Sequence, residues 1–345
     1  MGAWKCFIGQ YSGGESCGVN ILSVDDGTGE IATLDFVGSL PNTVWLTLSP
    51  DGSRLYVGRE GGITALDLQG ARPVVCAEYE IGHTQPCHMS FSADGRRLYF
   101  AEYTDAVCGV VDLGTGRVVE VPLVGGGPNT PRQAAAHAHC AVETPDGRHL
   151  CVVDLGSDAI LLFDPATMEP HGKVSTLPGA GPRHLVFHPN GEYAYLVYEL
   201  GNLVTSFRYA DGEFSPICTL PLLPPDFTGH SQAAAIKISA DGRRIFATNR
   251  GHDSVVAFDA DPVTGHLSFV ARSPLGGSWP RDFTFLPGER IALACLERAG
   301  EVRAFRHEKE TGRFSPLPYA FRTHRPVVAV VWREDQRQDT SCSAR

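Results

Sequence analysis

The 345-residue sequence lacks any apolar run close to the roughly 20 residues that a membrane-spanning helix requires, so we expect no membrane partner. Its first residues lack the apolar core of a signal peptide, and we therefore expect a cytoplasmic protein. Basic residues are outnumbered, because 29 Lys and Arg face 39 Asp and Glu for a net charge of −10. A chain of that charge is a poor ligand for nucleic acids, and we expect no nucleic-acid partner.

Several catalytic and cofactor motifs are absent as well. The sequence has no GxSxG nucleophile elbow, no P-loop and no glycine-rich dinucleotide fingerprint, which argues against three common classes of enzyme site. The ten cysteines include no CxxC pair, and several lie in apolar runs, so we expect reduced, buried thiols. No segment keeps a 3.6-residue apolar period over the length of a helix, and this predicts an all-β fold.

A short turn signal recurs along the chain. Its form is Ser/Thr/His, then Pro/Ala, then Asp/Asn, then Gly, and a degenerate copy ends at Gly288. Each copy precedes an apolar strand and then a second alternating segment, which is the pattern of antiparallel hairpins. The turn glycines are 43 to 52 residues apart, at positions 52, 95, 147, 191, 242 and 288.

Units of this length with four short strands each are typical of β-propeller blades. Six complete units are visible, and the two chain ends supply a seventh. The segment Trp4–Gly9 matches the second strand of a unit and Pro326–Trp332 matches an innermost strand. Their pairing closes the ring and removes the free sheet edges. We therefore predict one seven-bladed β-propeller domain over residues 1–332, followed by a polar C-terminal tail over residues 333–345.

The repeat register collects charged residues at one end of the central channel. Arg183 enters the first strand of a blade and Glu199 leaves the second strand, so antiparallel pairing brings both to one edge. The equivalent positions in other blades, with their neighbours, extend this set. Its members are His139, Arg183, Glu199, Arg250, Arg281 and Asp282, with His88, His137 and His184 nearby.

These residue types have a common chemistry. Guanidinium groups bind carboxylate or phosphate oxygens and stabilise an oxyanion, while a carboxylate or imidazole moves a proton. The set therefore suits an anionic, carbonyl-containing small molecule. Structural ion pairs, between Arg183 and Glu199 or between Arg281 and Asp282, are the alternative interpretation. Two histidines of the set share a strand face, but without a clear third ligand we expect no metal.

Two long insertions precede innermost strands, at residues 124–136 and 222–232. Because both lie on the same side of their blades as Arg183, we expect them to form a rim or lid over the charged set. The segment 251–254, Gly-His-Asp-Ser, is predicted to be a turn whose polar side chains cap backbone groups.

The chain resembles the seven-bladed lactonase family, which includes bacterial propeller-type 6-phosphogluconolactonases and fungal 3-carboxy-cis,cis-muconate lactonizing enzymes. The resemblance covers nearly the whole chain, and no blade has the GH…WD pattern of WD40 repeats. The segments that carry it are Pro86-Cys-His88, His137-Ala-His139, Val153-Asp-Leu-Gly-Ser-Asp158, Gly181-Pro-Arg-His184, Tyr198-Glu-Leu200, Thr248-Asn-Arg-Gly-His-Asp-Ser254 and Pro280-Arg-Asp-Phe283.

The resemblance implies a catalytic set, and it implies no metal or organic cofactor. The catalytic set is His139, Arg183, Glu199 and Arg250. The other five collected residues are then candidates for substrate binding: His88, His137, His184, Arg281 and Asp282. Two positions depart from the family pattern. Ala235 stands where members often carry a carboxylate, and Ala136 stands where they often have proline.

We therefore expect hydrolysis of a sugar-acid lactone, most specifically of 6-phosphogluconolactone to 6-phosphogluconate. Arg183 and Arg250 would hold the anionic group or the oxyanion. Either Glu199 or His139 would activate water, and the other would protonate the ring oxygen. The alternatives are a cycloisomerase of the 3-carboxy-cis,cis-muconate type and a non-catalytic ligand-binding propeller. The expected partner is a small anionic lactone, and the sequence leaves the oligomeric state open.

Overall fold

The computed structural model describes residues 2–13 and 17–332. Within these ranges the chain forms 28 β-strands and no helix, as the missing 3.6-residue period predicts. No helix of this part of the chain is long and apolar enough to span a membrane. The predicted polar tail, residues 333–345, lies outside the described residues.

The strands form seven four-stranded antiparallel sheets, which we number as blades 1 to 7. Blade 7 begins with β1 (Ala3–Gln10), β2 (Gly18–Asp25) and β3 (Ile31–Gly38). Blade 1 contains β4 (Trp45–Leu48), β5 (Arg54–Arg59), β6 (Gly62–Asp67) and β7 (Val74–Glu80). Blade 2 contains β8 (Pro86–Phe91), β9 (Arg97–Glu102), β10 (Val107–Asp112) and β11 (Val118–Pro122). Blade 3 contains β12 (Ala138–Glu143), β13 (Leu150–Asp154), β14 (Ala159–Phe163) and β15 (Pro170–Ser175).

The remaining blades follow the same order, with the innermost strand first. Blade 4 contains β16 (Pro182–Phe187), β17 (Tyr193–Tyr198), β18 (Leu203–Ala210) and β19 (Glu213–Pro221). Blade 5 contains β20 (Gln232–Ile238), β21 (Arg244–Arg250), β22 (Ser254–Ala260) and β23 (Leu267–Pro274). Blade 6 contains β24 (Pro280–Phe285), β25 (Ile291–Leu296), β26 (Glu301–Glu308) and β27 (Arg313–Arg322). The last strand, β28 (Pro326–Trp332), returns to blade 7 as its innermost strand.

The recurring turn signal forms the tight turn between the first and second strand of a blade. In blade 1 the Ser49 hydroxyl donates to the Asp51 carboxylate at 2.6 Å, and the Gly52 amide donates to the Ser49 carbonyl at 2.8 Å. Gly52 has a φ of 67°, which glycine adopts without the steric cost that a side chain brings. The turn residues therefore fix the length and register of each hairpin.

Pairing of the chain ends closes the ring, as predicted. Strand β1 pairs with β28 in antiparallel register from Lys5 opposite Trp332. Each innermost strand contacts the innermost strands of both neighbouring blades, so the seven form an unbroken cycle. Seven apolar clusters fill the seven interfaces between adjacent blades. The core is therefore a ring of apolar layers between blades, around a channel lined by polar side chains.

An irregularity in the innermost strands positions the channel residues. In several blades one residue near the start of this strand has no partner on the second strand, so the ladder bulges there. The unpaired residues are Cys87, His139, Arg183, Arg281 and Val327. A bulge of this kind re-aims the side chain that it contains. Equivalent positions thus direct different side chains to the same end of the channel.

Candidate functional site

A buried carboxylate surrounded by arginines lies at this end of the channel. Glu199 Oε2 is 3.1 Å from Arg183 Nε and 2.7 Å from Arg250 Nη2, and Glu199 Oε1 accepts from Arg132 Nη2 at 2.6 Å. His139 Nε2 is 4.0 Å from Glu199 Oε2. Glu199, Arg183, Arg250 and His139 are each at most 4% exposed. Three positive groups therefore surround one buried negative group, and two of them, Arg183 and Arg250, are buried with it.

The backbone of neighbouring blades holds these side chains in place. The Glu199 amide donates to the Gly181 carbonyl at 2.7 Å, which fixes the residue directly after β17. Arg183 Nη1 donates to the Ala234 carbonyl at 2.8 Å, and Arg250 Nη2 donates to the Ala233 carbonyl at 2.9 Å. Because the carbonyl acceptors come from blade 5, the arginines have little freedom to turn. The backbone of the propeller therefore fixes the positions of the arginines around Glu199.

Burial and charge set the protonation states. For Glu199, burial raises the carboxyl pKa, but the charges of Arg250, Arg183 and its other cationic neighbours outweigh burial and hold it well below its usual value. The pKa of His139 lies well below its usual value because the ring is buried and faces Arg183. Burial, followed by repulsion from Arg250, lowers the pKa of Arg183 to about 9. At neutral pH the site therefore contains an ionised Glu199, charged arginines and an uncharged imidazole.

Sequence reasoning missed Arg132, which belongs to the long loop before β12. Its guanidinium bonds Glu199 and also donates to the Tyr103 hydroxyl at 3.1 Å. The next residue anchors the loop, because Gln133 Nε2 donates to the Leu155 carbonyl at 2.8 Å. The length of the insertion was the only signal available, since a loop has no strand register that places one of its residues.

A second carboxylate lies at the equivalent position of blade 6. Glu297 Oε1 accepts from Arg325 Nη2 at 2.5 Å, and its Oε2 is 3.4 Å from Arg281 Nη1. The guanidinium carbons of Arg325 and Arg281 lie 4.4 and 5.4 Å from the centre of the Tyr11 ring. A buried glutamate paired with arginines thus occurs twice at this end of the channel, in blade 4 and in blade 6.

A cavity of about 420 Å³ opens between the two glutamates, a size in the range of small-molecule sites. Its charged lining residues are Arg132, Arg250, Arg281, Arg298, Arg325, Glu102, Glu199 and Glu297. The five guanidinium groups exceed the three carboxylates by two charges, and Arg183, bonded to Glu199, adds a third. An acidic protein thus has a positively charged cavity, which attracts an anionic ligand.

Comparison with known proteins identifies the family. The family profile described as "Lactonase, 7-bladed beta-propeller" matches residues 5–332. The chain belongs to this lactonase family. It is 32% identical to the 6-phosphogluconolactonase of Bacillus subtilis (strain 168) over 336 residues, which covers 93% of this chain and 96% of the relative. The predicted family and the predicted enzyme class, a carboxylic-ester hydrolase, are confirmed.

Two solved structures share the fold over almost the whole chain. The Pseudomonas aeruginosa periplasmic gluconolactonase PpgL superposes with a TM-score of 0.90 at 28% identity, covering 96% of this chain and 99% of the other. A protein from Lactobacillus plantarum gives a TM-score of 0.89 at 26% identity, covering 96% and 100%. The fold is therefore shared with both proteins over nearly the whole chain.

The cavity includes only part of the set predicted from sequence. His139, Glu199, Arg250 and Arg281 line it, and Arg183 lies in contact with Glu199. His137 does not line it, because its ring stacks on Tyr103 and its Nδ1 lies 2.9 Å from the Tyr103 carbonyl oxygen. The repeat pattern predicted that His137 lies near this end of the channel. It could not predict that the ring stacks on Tyr103 instead of lining the cavity.

Three further residues of the set lie deeper in the channel. His184 contacts Arg183 Nη1 at 3.2 Å and packs edge-on against His139 and His88. Asp282 pairs with Lys237 at 3.1 Å rather than with Arg281. The bulge separates these neighbours, because Arg281 is the unpaired residue and Asp282 resumes the strand ladder. The proposed local pair of Arg281 and Asp282 is therefore wrong.

Other predictions from the sequence can be located as well. The segment 251–254 is a turn up to Ser254, which begins β22, and Asp253 Oδ1 accepts from the Gly251 amide at 2.9 Å. Ala235 is buried in the apolar cluster between blades 5 and 6 and does not line the cavity. Among the described residues, no group of three or more His, Cys, Asp and Glu side chains is placed to hold a metal.

Proposed function

We propose that this lactonase hydrolyses 6-phosphogluconolactone to 6-phosphogluconate. The observation that carries the proposal is the buried Glu199, bonded to three arginines beside an uncharged His139, at the wall of a positively charged cavity. The name of the Bacillus subtilis relative and the gluconolactonase named among the solved structures support a sugar-acid lactone as substrate. The excess of guanidinium groups supports an anionic one.

In the proposed reaction, His139 is the base that activates water. Its pKa is lowered, so the ring is uncharged at neutral pH and can accept a proton. The water oxygen bonds to the lactone carbonyl carbon, the water proton moves to His139, and the carbonyl electron pair forms an oxyanion. The ring C–O bond then breaks, and the His139 proton passes to the departing ring oxygen. Atoms and charge balance without a metal or an organic cofactor.

Glu199 and the arginines have different roles in this scheme. Glu199 is a poor proton acceptor, because its guanidinium neighbours hold its pKa well below the usual value. Its negative charge at 4.0 Å stabilises the His139 imidazolium that forms during the reaction. Arg183 and Arg250 donate to the developing oxyanion, a contribution worth about 10²- to 10³-fold in rate for one donor.

We also propose that the propeller is one catalytic unit and that it acts in the cytoplasm. All nine cysteines in the described ranges are free, which supports a reducing compartment. Five of them are buried as the sequence predicts. The remainder lie nearer the surface, and Cys76 is exposed.

The experiment that tests the proposed function measures ring opening of freshly prepared 6-phosphogluconolactone above its spontaneous rate. Glucono-δ-lactone and 3-carboxy-cis,cis-muconate are assayed beside it, all after treatment with EDTA. We expect turnover of the phosphorylated lactone and no loss of muconate absorbance. Turnover of the muconate alone would instead establish the cycloisomerase. If no substrate reacts and the protein is folded, the enzymatic proposal is wrong and the ligand-binding alternative gains support.

A further inference from the structure

The conformation of Trp279, at the cavity wall, is unusual. This bulky residue has a φ of 66° and is 7% exposed. The equivalent residue of blade 4 is Gly181, with a φ of 62°, and glycine is the residue that this conformation favours. Blade 6 therefore has a large aromatic residue at a position whose left-handed backbone conformation favours glycine. Local strain of this kind is concentrated at functional sites, which indicates that the indole ring of Trp279 has a role in the cavity.

The indole ring supports a guanidinium group. The guanidinium carbon of Arg298 lies 3.3 Å from the centre of the Trp279 ring. Two backbone bonds fix this arrangement, because the Glu297 amide donates to the Trp279 carbonyl at 3.0 Å and the Arg298 amide donates to the Ser278 carbonyl at 3.2 Å. In blade 4 the position of Arg298 is held by Leu200. The stacked pair is thus a feature of blade 6 that the repeat does not require.

The positive charge of Arg298 is not neutralised by an ion pair among the described residues. Within residues 2–13 and 17–332, its side chain forms no ion pair and no hydrogen bond, and its guanidinium group stacks on the indole face. Nearby, Glu297 neutralises one of the two charges of Arg281 and Arg325. Glu297 and the guanidinium groups of Arg281, Arg298 and Arg325 therefore have a net charge of +2 together. A phosphate monoester carries about −1.5 to −2 at neutral pH, which matches this charge.

The arginines around Glu199 are less suited to a strongly hydrated group. The side chains of Arg183 and Arg250 are 3% and 5% exposed, and some of their donors already bond Glu199 and backbone carbonyls. The side chains of Arg281 and Arg325 are 19% and 49% exposed, and Arg298 is exposed as well. A phosphoryl group loses less hydration at the open side of the cavity. The reacting carbonyl then occupies the enclosed side, near His139.

We propose that Arg298, held on Trp279 and assisted by Arg281 and Arg325, binds the phosphoryl group of the substrate. The inference rests on the proposed function, because it assigns the two sides of the same cavity to the two ends of a phosphorylated lactone. Trp279 links these sides, since Arg250 lies 5.6 Å from its ring centre and Arg298 lies 3.3 Å from it. The two guanidinium carbons are thus at most 8.9 Å apart. One small lactone can therefore reach both.

The test compares a phosphorylated with an unphosphorylated ligand in the same protein. Wild type, Arg298→Gln, Trp279→Phe and Trp279→Leu are assayed on 6-phosphogluconolactone and on glucono-δ-lactone. We expect Arg298→Gln to reduce the ratio of the two kcat/KM values about 10-fold to 100-fold, the range of one charged hydrogen bond. Trp279→Phe keeps an aromatic face and should retain more of the ratio than Trp279→Leu. Arg148→Gln removes a surface arginine paired with Asp211 and is the matched control for loss of charge.

Calorimetry with 6-phosphogluconate and gluconate separates this inference from the proposed function. Tighter binding of the phosphorylated acid by wild type, lost in Arg298→Gln, supports the phosphoryl site even if no lactone is hydrolysed. Equal binding of the two acids by wild type overturns it. An equal fall for both ligands in folded Arg298→Gln also overturns it, because the arginine then has no preference for phosphate.

Discussion

At the scale of single residues, the chemistry depends on how burial and charge divide the roles of His139 and Glu199. Both side chains are almost fully buried, and each is next to cationic groups: Arg183 acts on both, while Arg281 also acts on His139 and Arg250 also acts on Glu199. Positive charge disfavours a protonated imidazole and favours an ionised carboxylate. One environment therefore produces a neutral base next to a fixed negative charge, which is the arrangement that water activation requires.

The lowered pKa of His139 predicts the pH dependence of activity. The base must be unprotonated, so kcat/KM should fall as pH drops through the pKa of the folded enzyme. Because this pKa lies well below its ordinary value of 6.5, activity should remain flat from neutral pH to below pH 6.5. The rate profile should be measured on glucono-δ-lactone, whose own charge is constant in this range. An acid limb centred above pH 6.5 would contradict the proposed base.

Substitution of Arg183 should lower the reaction rate while the protein remains folded. Arg183→Ala removes an oxyanion donor and should lower kcat by about 10²- to 10³-fold. Arg183→Lys keeps the charge but loses the Nε bond to Glu199, and should recover only part of the rate. Steady-state kinetics check both variants, with circular dichroism to confirm folding. Full activity in folded Arg183→Ala would make the pair with Glu199 structural only.

The residues of the site differ in how far the sequence reveals them. Arg183 and Glu199 flank a hairpin whose turn is readable, so their closeness follows from strand pairing. Trp279 and Arg298 could not be assigned in the same way. The left-handed backbone of Trp279 contradicts local preference, and it becomes visible only when the tertiary structure has fixed it.

At the scale of elements, bulged strands and one long loop build the cavity. The bulge residues of β12, β16 and β24 reach the same end of the channel, which is why equivalent positions in the repeat predicted their common location. The loop at 124–136 adds Arg132 from outside this repeat. The period of the turns revealed that residues were inserted, but not which of them faces Glu199, because loop conformation is set by contacts such as that of Gln133 with Leu155.

This loop should affect substrate affinity. Arg132 is the partly exposed member of the Glu199 cluster, with 35% of its side chain accessible. Arg132→Gln should therefore raise KM for an anionic lactone about 10-fold and change the stability little, because Glu199 keeps its two buried partners Arg183 and Arg250. Kinetics and thermal unfolding of Arg132→Gln and the control Arg148→Gln measure both effects. A large loss of stability with unchanged KM would mean that Arg132 only fastens the loop.

At the scale of the whole molecule, stability depends on closure of the ring. Trp332, at the end of β28, packs near Phe7 of β1 and donates from Nε1 to the Gly52 carbonyl at 2.7 Å. Its single ring thus joins blade 7 to blade 1. The seven-bladed ring could be predicted from sequence because the turn signal and the apolar strands repeat at a regular spacing. Blade 7 could be predicted because the segments at the two chain ends supply the strands that one blade requires.

Loss of this contact should destabilise the propeller. Trp332→Ala should lower the free energy of unfolding by about 3–5 kcal/mol, the usual cost of truncating a buried aromatic side chain. Phe269→Ala is the control, since Phe269 lies on an outer strand and is 54% exposed. Urea unfolding of both variants measures the difference. Equal effects of the two substitutions would show that the join between blades 7 and 1 is not limiting.

The whole molecule also has a charge distribution that fits its proposed substrate, with a net charge of −10 and a cavity where guanidinium groups exceed carboxylates. The most direct test is the initial rate of 6-phosphogluconolactone opening by wild type, Glu199→Gln and Glu60→Gln. Glu60 holds the equivalent position in blade 1 but is exposed, and among the described residues its side chain accepts a hydrogen bond only from Asn42. We expect wild-type turnover in Glu60→Gln and a loss of at least about 100-fold in Glu199→Gln. A folded Glu199→Gln variant that retains the wild-type rate would contradict the proposed active site.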